Sequence, residues 1–131
     1  MTAQEIRARF PDLETVTAMF ADSNGIMRGK VLPASGLDKL MKDGVFLPAS
    51  VFGTDATGES VAETGLVWEC GDVDFPWRVI PETLFAIPDR NGRELAVMIQ
   101  MLQPDSVTPH HLDPRGILAS VIDRLNAKGV F

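Results

Sequence analysis

The segment Leu95 to Leu102 reads LAVMIQML, a run that is apolar on both alternating faces. A strand with one wet face alternates polar and apolar residues. A run without that alternation belongs to an element covered on both sides, at the centre of a sheet. Its length also admits a short buried helix. The β-branched Val97 and Ile99, and the turn before the run, favour a strand. That turn is Asp89-Arg90-Asn91-Gly92, and it separates LAVMIQML from an earlier apolar run, VIPETLFAI. The pattern predicts a β-hairpin over Ile80–Leu102, on which the remaining elements pack.

The N-terminal part supplies those elements. Ala3 to Phe10 is short, charged and predicted helical, with Pro11 ending it. Thr15 to Asp22 alternates, placing Val16, Ala18 and Phe20 on one strand face. Asp22-Ser23-Asn24-Gly25 is a turn, and Ile26 to Leu32 returns as a second strand. Ser35 is a candidate N-cap for a helix through Lys42, whose Leu37, Leu40 and Met41 make one apolar stripe and whose stop is Gly44. Val45 to Phe52 contains Pro48 and reads as an irregular or edge segment. Gly53 to Gly65 is small, polar and Gly-rich, the composition of a long and mobile loop. Leu66 to Cys70 is expected to be a short strand, and Gly71 to Arg78 an acidic turn containing Pro76. After the hairpin, Gln103 to Leu112 reads as an extended linker. The last helix is the clearest: Asp113 as N-cap, Pro114 at its first position, an apolar face of Ile117, Leu118, Val121, Ile122 and Leu125, and Gly129 past its end. A new apolar run then starts at Val130-Phe131, as it would where a further domain follows. This order predicts an α+β domain with a mixed sheet.

Composition narrows the function classes. The 131 residues suit one domain, and a net charge of -6 disfavours non-specific binding to nucleic acid or anionic membranes. No apolar run approaches the roughly 18 residues of a membrane span, and no secretory signal is visible. A single cysteine, Cys70, forbids an internal disulfide and suits a reducing compartment, so the expected location is cytoplasmic.

Several groups carry possible chemistry. Asp55, Glu59, Glu63, Asp72 and Asp74 lie in two loops, where paired carboxylates can hold a cation or simply be solvated. His110 and His111 precede Asp113 without a third ligand at zinc-site spacing, and read as an exposed linker pair. Cys70 has no base near it in sequence and reads as a buried structural thiol. Arg28 and Lys30 share one strand face and can meet an anion or water. Gly53, Gly58 and Gly65 match no nucleotide-phosphate loop, and Trp68 and Trp77 read as packing residues.

The run Phe20-Ala-Asp-Ser-Asn-Gly-Ile-Met-Arg-Gly-Lys30 resembles the first hairpin of the N-terminal β-grasp domain of glutamine synthetases, in particular the γ-glutamylpolyamine synthetase branch. Gly71-Asp72, Phe75-Pro76-Trp77 and Asp113-Pro114-Arg115, with Lys128-Gly129 ending the last helix, are similar to later family motifs in the same order. The resemblance implies a β-grasp-like mixed sheet with a packed helix over residues 1–112. Residues 113–131 would be a linker helix and the start of a catalytic domain that the chain lacks.

It further implies a parent ligase that joins glutamate to ammonia or an amine through γ-glutamyl phosphate, using ATP and Mg²⁺ or Mn²⁺ bound outside this chain. The fragment alone would be inactive. In the family, the small domain caps a neighbouring subunit's active site in a ring, through a loop with the motif F-D-G-S-S. Here that stretch is Phe52-Gly-Thr-Asp-Ala-Thr-Gly58, and Asp55 and Thr57 are the counterparts for the ammonium or amine site, in a shifted register. Two alternatives stay open: a stand-alone β-grasp binding or oligomerisation module without catalysis, and a small acidic metal-binding protein using Asp72 and Asp74.

Overall fold

The computed structural model describes residues 1–69 and 71–130. Its elements run α1 (Ala3–Arg9), β1 (Thr15–Ala21), β2 (Met27–Pro33), α2 (Leu37–Asp43), β3 (Val45–Pro48), β4 (Asp74–Val79), β5 (Phe85–Ala86), β6 (Glu94–Met101) and α3 (Pro114–Asn126), with short 3-10 turns between them. The strands make a mixed six-stranded sheet in the order β2-β1-β6-β4-β3, with β5 also paired to β6. Among the described residues only the β1–β6 pair is parallel. The fold is α+β and β-grasp-like, as expected.

LAVMIQML is the central strand. β6 lies between β1 on one side and β4 and β5 on the other. Leu95, Ala96, Val97, Ile99, Met101 and Leu102 are all buried. The predicted hairpin therefore exists, but its first arm is divided. Val79 pairs Ile99, and Phe85 and Ala86 pair Ala96 and Leu95, while Pro81–Thr83 form a 3-10 turn between them. The Thr83 hydroxyl donates to the Ile80 carbonyl and accepts the Met98 amide, bridging the break. The Asp89–Gly92 turn closes as predicted, with Asp89, Asn91 and Gly92 at positive φ.

β1 buries Val16, Ala18 and Phe20 and leaves the alternate positions half-buried. Its partner β2 is an exposed edge. The tight R-G-K sequence has a steric cause. A Cβ on Gly29 would lie 2.3 Å from the Ala18 carbonyl oxygen and 2.9 Å from Met19 Cα, so only glycine allows β2 to lie this close to β1. α1 starts with a capping box. The Thr2 hydroxyl accepts the Glu5 amide, and the Glu5 carboxylate accepts the Thr2 amide. The helix buries Ala3 and Ile6. α2 buries Leu37 and Leu40, with Met41 packed beside them. Gly44 ends it at φ +75, and a Cβ there would lie 1.8 Å from the Trp77 carbonyl oxygen.

Four local expectations are corrected. Ser35 does not cap α2. A 3-10 turn over Ala34–Gly36 leads directly into the helix, whose N-cap is Gly36 without a side-chain bond. Leu66–Glu69 form turns rather than a strand. Asp74–Val79 is a strand rather than a turn. Pro76 is tolerated there because it lies one residue beyond the paired Trp77–Val79 segment with β6, where its carbonyl still accepts the Leu102 amide. The linker Gln103–Leu112 is not simply extended: Leu102 and Pro109 form a bridge, and Gln103 N–H donates to the Thr108 carbonyl. The reading of Cys70 lies outside the described residues.

The core is a single cluster in which Phe20, Phe52 and Trp77 meet. Their ring centroids lie 5.8, 4.6 and 5.5 Å apart pairwise, edge-on or tilted. Trp68, in contrast, is 81% exposed and packs on no core. α3 is capped as predicted, with the Asp113 carboxylate accepting the Gly116 amide and Pro114 at its first position. It ends in a Schellman arrangement, Val130 N–H to Leu125 C=O and Gly129 N–H to Asn126 C=O. Its apolar residues Ile117, Leu118, Val121, Ile122 and Leu125 remain 41–59% exposed. No helix among the described residues is long and apolar enough to cross a membrane.

Candidate functional site

The Gly53–Gly65 segment is built as a small structure of its own. Thr54 and Ser60 form a bridge, Asp55 N–H donates to the Glu59 carbonyl, and Gly58 N–H donates back to the Asp55 carbonyl. Val61 N–H then returns to the Gly53 carbonyl, and a 3-10 turn over Ala62–Thr64 closes the segment. The polar, Gly-rich composition thus encodes a tight miniature hairpin, because Asp, Thr and Gly close short turns through their own side chains and φ freedom.

Asp55 organises the tip. One carboxylate oxygen, Oδ1, accepts the Thr57 hydroxyl at 2.7 Å, the Thr57 amide at 2.8 Å and the Glu59 amide at 3.0 Å. The Thr57 hydroxyl, followed by the Glu59 and Thr57 amides, holds this carboxyl below the usual carboxylate range, so it is an anion at neutral pH. Among the described residues no hydrogen bond ends on its Oδ2. Asp55 and Thr57 are therefore brought together as one unit: an ionised carboxylate with one oxygen fixed by its own turn and one left to accept from outside. Such a group can hold an ammonium or protonated amine.

The loop is tied to the first hairpin by side chains. Ser23 Oγ donates to the Phe52 carbonyl at 3.1 Å, Asn24 Nδ2 to the Thr54 carbonyl at 2.9 Å, and Arg28 Nη2 to the Asp55 carbonyl at 3.2 Å. Behind them stands Asp22, 2% exposed. Its Oδ1 accepts the Asn24 and Ile26 amides, and its Oδ2 accepts Arg28 Nε at 2.6 Å. Burial pushes the Asp22 carboxyl up, but the bonds from Arg28, Ile26 and Asn24 together outweigh it and hold the carboxyl below its ordinary value. Arg28 is thus committed to protein partners rather than to an anionic ligand. Sequence reasoning read Asp22 only as a turn residue. The available signal was the D-x-N-G-x-x-R spacing, which puts the carboxylate and guanidinium on facing ends of one hairpin.

The other candidates disperse. Glu59 is in the Asp55 turn, Glu63 in the following 3-10 turn, Asp72 precedes β4, and Asp74 opens that strand, all exposed. Among the described residues no group of three or more His, Cys, Asp and Glu side chains converges to hold a metal ion. The reading of Asp72 and Asp74 as a metal site receives no support from this arrangement.

The histidine pair is corrected in part. His111 is exposed, but His110 is only 5% exposed, edge-on to Phe75 and stacked on His111 with centroids 4.4 Å apart. His110 Nδ1 accepts the Leu112 amide at 3.2 Å. Burial pushes this imidazole down from its ordinary value, the His111 charge adds to that, and Asp113 opposes both. Folding therefore favours the neutral ring. Above the ordinary value of 6.5 both folded and unfolded chains are neutral, and the stability from His110 is complete. As pH falls below 6.5 the unfolded chain takes up a proton that the folded chain refuses, so stability declines until the depressed folded value is reached. The expected slope in that window is at most about 1.4 kcal/mol per pH unit. His110→Asn keeps an acceptor for Leu112 without titrating, so urea midpoints at pH 7.5 and 5.5 should differ less in the variant than in the parent. Equal differences would refute the assignment.

No profile of a known protein family matches the chain. Individual proteins do. The chain is 34% identical over 126 residues to γ-glutamylputrescine synthetase PuuA of Escherichia coli K12, covering 94% of this chain and 26% of that protein. It is 30% identical over 115 residues to glutamine synthetase of Pyrococcus abyssi, covering 88% of this chain and 23% of that enzyme. The chain thus spans about a quarter of the length of these curated relatives. Among solved structures, its fold matches a GmaS/ADP complex with a TM-score of 0.70 at 22% identity, over 98% of this chain and 26% of the other. It also matches a novel glutamine synthase homolog with a TM-score of 0.72 at 17% identity, over 88% and 27%. By these similarities nearly the whole chain corresponds to about a quarter of the length of a glutamine synthetase or of γ-glutamylputrescine synthetase.

Proposed function

We propose that this chain is the N-terminal domain of a glutamine synthetase-like, ATP-dependent ligase that joins glutamate to ammonia or an amine through γ-glutamyl phosphate. Residues 1–112 are the β-grasp domain, and 113–131 lead into the catalytic domain. ATP and Mg²⁺ or Mn²⁺ are held by that larger domain. The Asp55 loop caps the active site of a neighbouring subunit in a ring, where Asp55 contacts the nitrogen donor and Thr57 steadies it.

The observation that carries this reading is the match of nearly the whole chain to a portion of two ligases, together with an anionic Asp55 whose Oδ2 is left for an external donor. A carboxylate held as an anion favours the cationic form of ammonia or an amine. Thr57 spends its proton on Asp55 and keeps oxygen lone pairs that can accept an N–H from the same donor. The exposed apolar stripe of α3 suits a helix covered by further protein, whether the rest of the same chain or a neighbouring subunit. That stripe also favours the second reading, a non-catalytic assembly module.

Asp55→Asn separates the two. Asparagine keeps an oxygen for the Thr57 and Glu59 bonds and removes the charge. In the ligase of which this chain is read as a domain, KM for the nitrogen donor should rise about tenfold or more, with glutamate and ATP constants unmoved. Unchanged donor kinetics would sink the assignment of Asp55.

A further inference from the structure

We infer that the turn of the first hairpin, Ser23-Asn24, is a positioning clasp for the Asp55 loop, and that it sets the affinity for the nitrogen donor without touching it. This rests on the reading of Asp55 as a donor contact.

The geometry is specific. Three carbonyls on the entry to the loop, those of Phe52, Thr54 and Asp55, each accept one side-chain donor from the same hairpin. The donors are Ser23 Oγ, Asn24 Nδ2 and Arg28 Nη2, from residues some 27 to 30 positions earlier in the chain. Turn residues ordinarily bond their own backbone. Here Ser23 and Asn24 aim outward, at another loop, while the buried Asp22 satisfies the turn's own amides at Asn24 and Ile26. The division of labour frees the two small polar side chains for the clasp. Arg28 completes it through its bond to the Asp55 carbonyl, and its guanidinium lies beside the loop tip, where a Cβ on Gly58 would come within 3.4 Å of Nη1.

The consequence concerns placement. The bonds inside the Asp55 turn fix the carboxylate relative to its own loop, and among the described residues the side-chain hydrogen bonds that hold the loop to the first hairpin are those of the clasp. A loop released from the sheet presents the same anion over a wider range of positions. The fraction of molecules competent to bind the donor then falls, and the apparent affinity falls with it. Bond-making at the substrate carboxyl involves neither residue, so turnover at saturating donor is unaffected.

Ser23 and Asn24 can be changed without disturbing the buried Asp22–Arg28 pair. Asn24→Asp is isosteric and replaces the N–H donor with an oxygen facing the Thr54 carbonyl. Ser23→Ala removes the hydroxyl, and Ser23→Thr restores one. Backbone 15N relaxation of the 131-residue chain reads the clasp directly: order parameters at Thr57 and Glu59 should fall from about 0.85 to below about 0.6 in the Ser23→Ala/Asn24→Asp chain. Unchanged order parameters there overturn the clasp whatever the enzyme does. In the ligase, the same pair of substitutions should raise KM for ammonium or amine about tenfold and leave kcat within about twofold, with Asn24→Asp/Ser23→Thr intermediate. Lowered order parameters with an unmoved KM, where Asp55→Asn does raise KM, overturn the positioning role. If Asp55→Asn leaves KM unmoved, the donor-site reading fails and takes the functional half of the inference with it.

Discussion

Trp77→Ala should cost about 4 kcal/mol of folding stability, the largest effect of any single substitution considered in this domain. Trp77 is fully buried, at the meeting point of Phe20, Phe52 and the sheet. Its truncation removes a large apolar area, two aromatic contacts, and the indole N–H bond to the Leu47 carbonyl at 3.1 Å. That last bond ties β4 to the edge strand β3, so the loss loosens an edge as well as opening a cavity. A domain of this size has only about 5–15 kcal/mol to lose, so the variant should be partly unfolded in moderate urea where the parent is folded. Trp77→Phe should cost less than half as much, because it refills most of the cavity and forfeits mainly the hydrogen bond. Equilibrium urea curves followed by far-UV circular dichroism check both. An alanine variant within 1 kcal/mol of the parent, against the expected cost of about 4, would contradict the core described here.

Asp22→Ala should cost about 3 kcal/mol, and through a different mechanism. The substitution leaves the partly buried Arg28 without its carboxylate and the Asn24 and Ile26 amides without their acceptor. Removing one member of a buried pair is costly because the partner's desolvation is left uncompensated. Asp22→Asn should be milder, since its oxygen can still accept the two amides. The two proteins should also respond differently to acid. The folded carboxyl sits below its ordinary value of 3.8, so its contribution is complete above that value and is lost as pH falls through the lowered folded one. The stability gap between parent and Asp22→Asn should therefore be constant near neutrality and close at the acid end. A gap that persists below that window would show that the charge of Asp22 does not stabilise the hairpin. The clasp on the Asp55 loop depends on this pair, since Arg28 is both the partner of Asp22 and a donor to the loop. Asp22→Ala should consequently lower the backbone order parameters at Thr57 and Glu59 while leaving those of β6 unmoved.

The buried pair and the aromatic cluster were legible in the sequence to very different degrees. Phe20 and Trp77 could be placed in the core or at its rim from local pattern. That Phe52 meets them could not, because it reaches the cluster only through the β3 edge and the 3-10 turn after it. β4 was missed for a definable reason: its Pro76 and two acidic neighbours carry turn chemistry, and the pairing of Asp74–Trp77 with β3 and of Trp77–Val79 with β6 overrides that local preference. His110 was read as exposed because its neighbours are prolines and polar residues. It is buried because the bridge between Leu102 and Pro109 folds the linker back onto β6, and its own amide donates to the Met101 carbonyl.

What the sequence by itself determined is whatever depends on short-range periodicity and backbone chemistry. The doubly apolar LAVMIQML had to be central, Asp113-Pro114 had to open a helix, Asn24-Gly25 and Asn91-Gly92 had to turn, and Gly44 had to stop α2. Each follows from a few adjacent residues whose φ preferences and burial demands agree. The resemblance to glutamine synthetases was legible as well, since ordered motifs survive divergence that blurs individual positions. Tertiary structure alone decided which distant groups meet. It paired Asp22 with Arg28 and put Ser23 and Asn24 on the carbonyls of a loop some thirty residues away. It also dispersed the acidic residues that composition suggested might act together. Local energetics set the turns and strands. The chain's path between them, which no local term encodes, set the neighbours of Asp55.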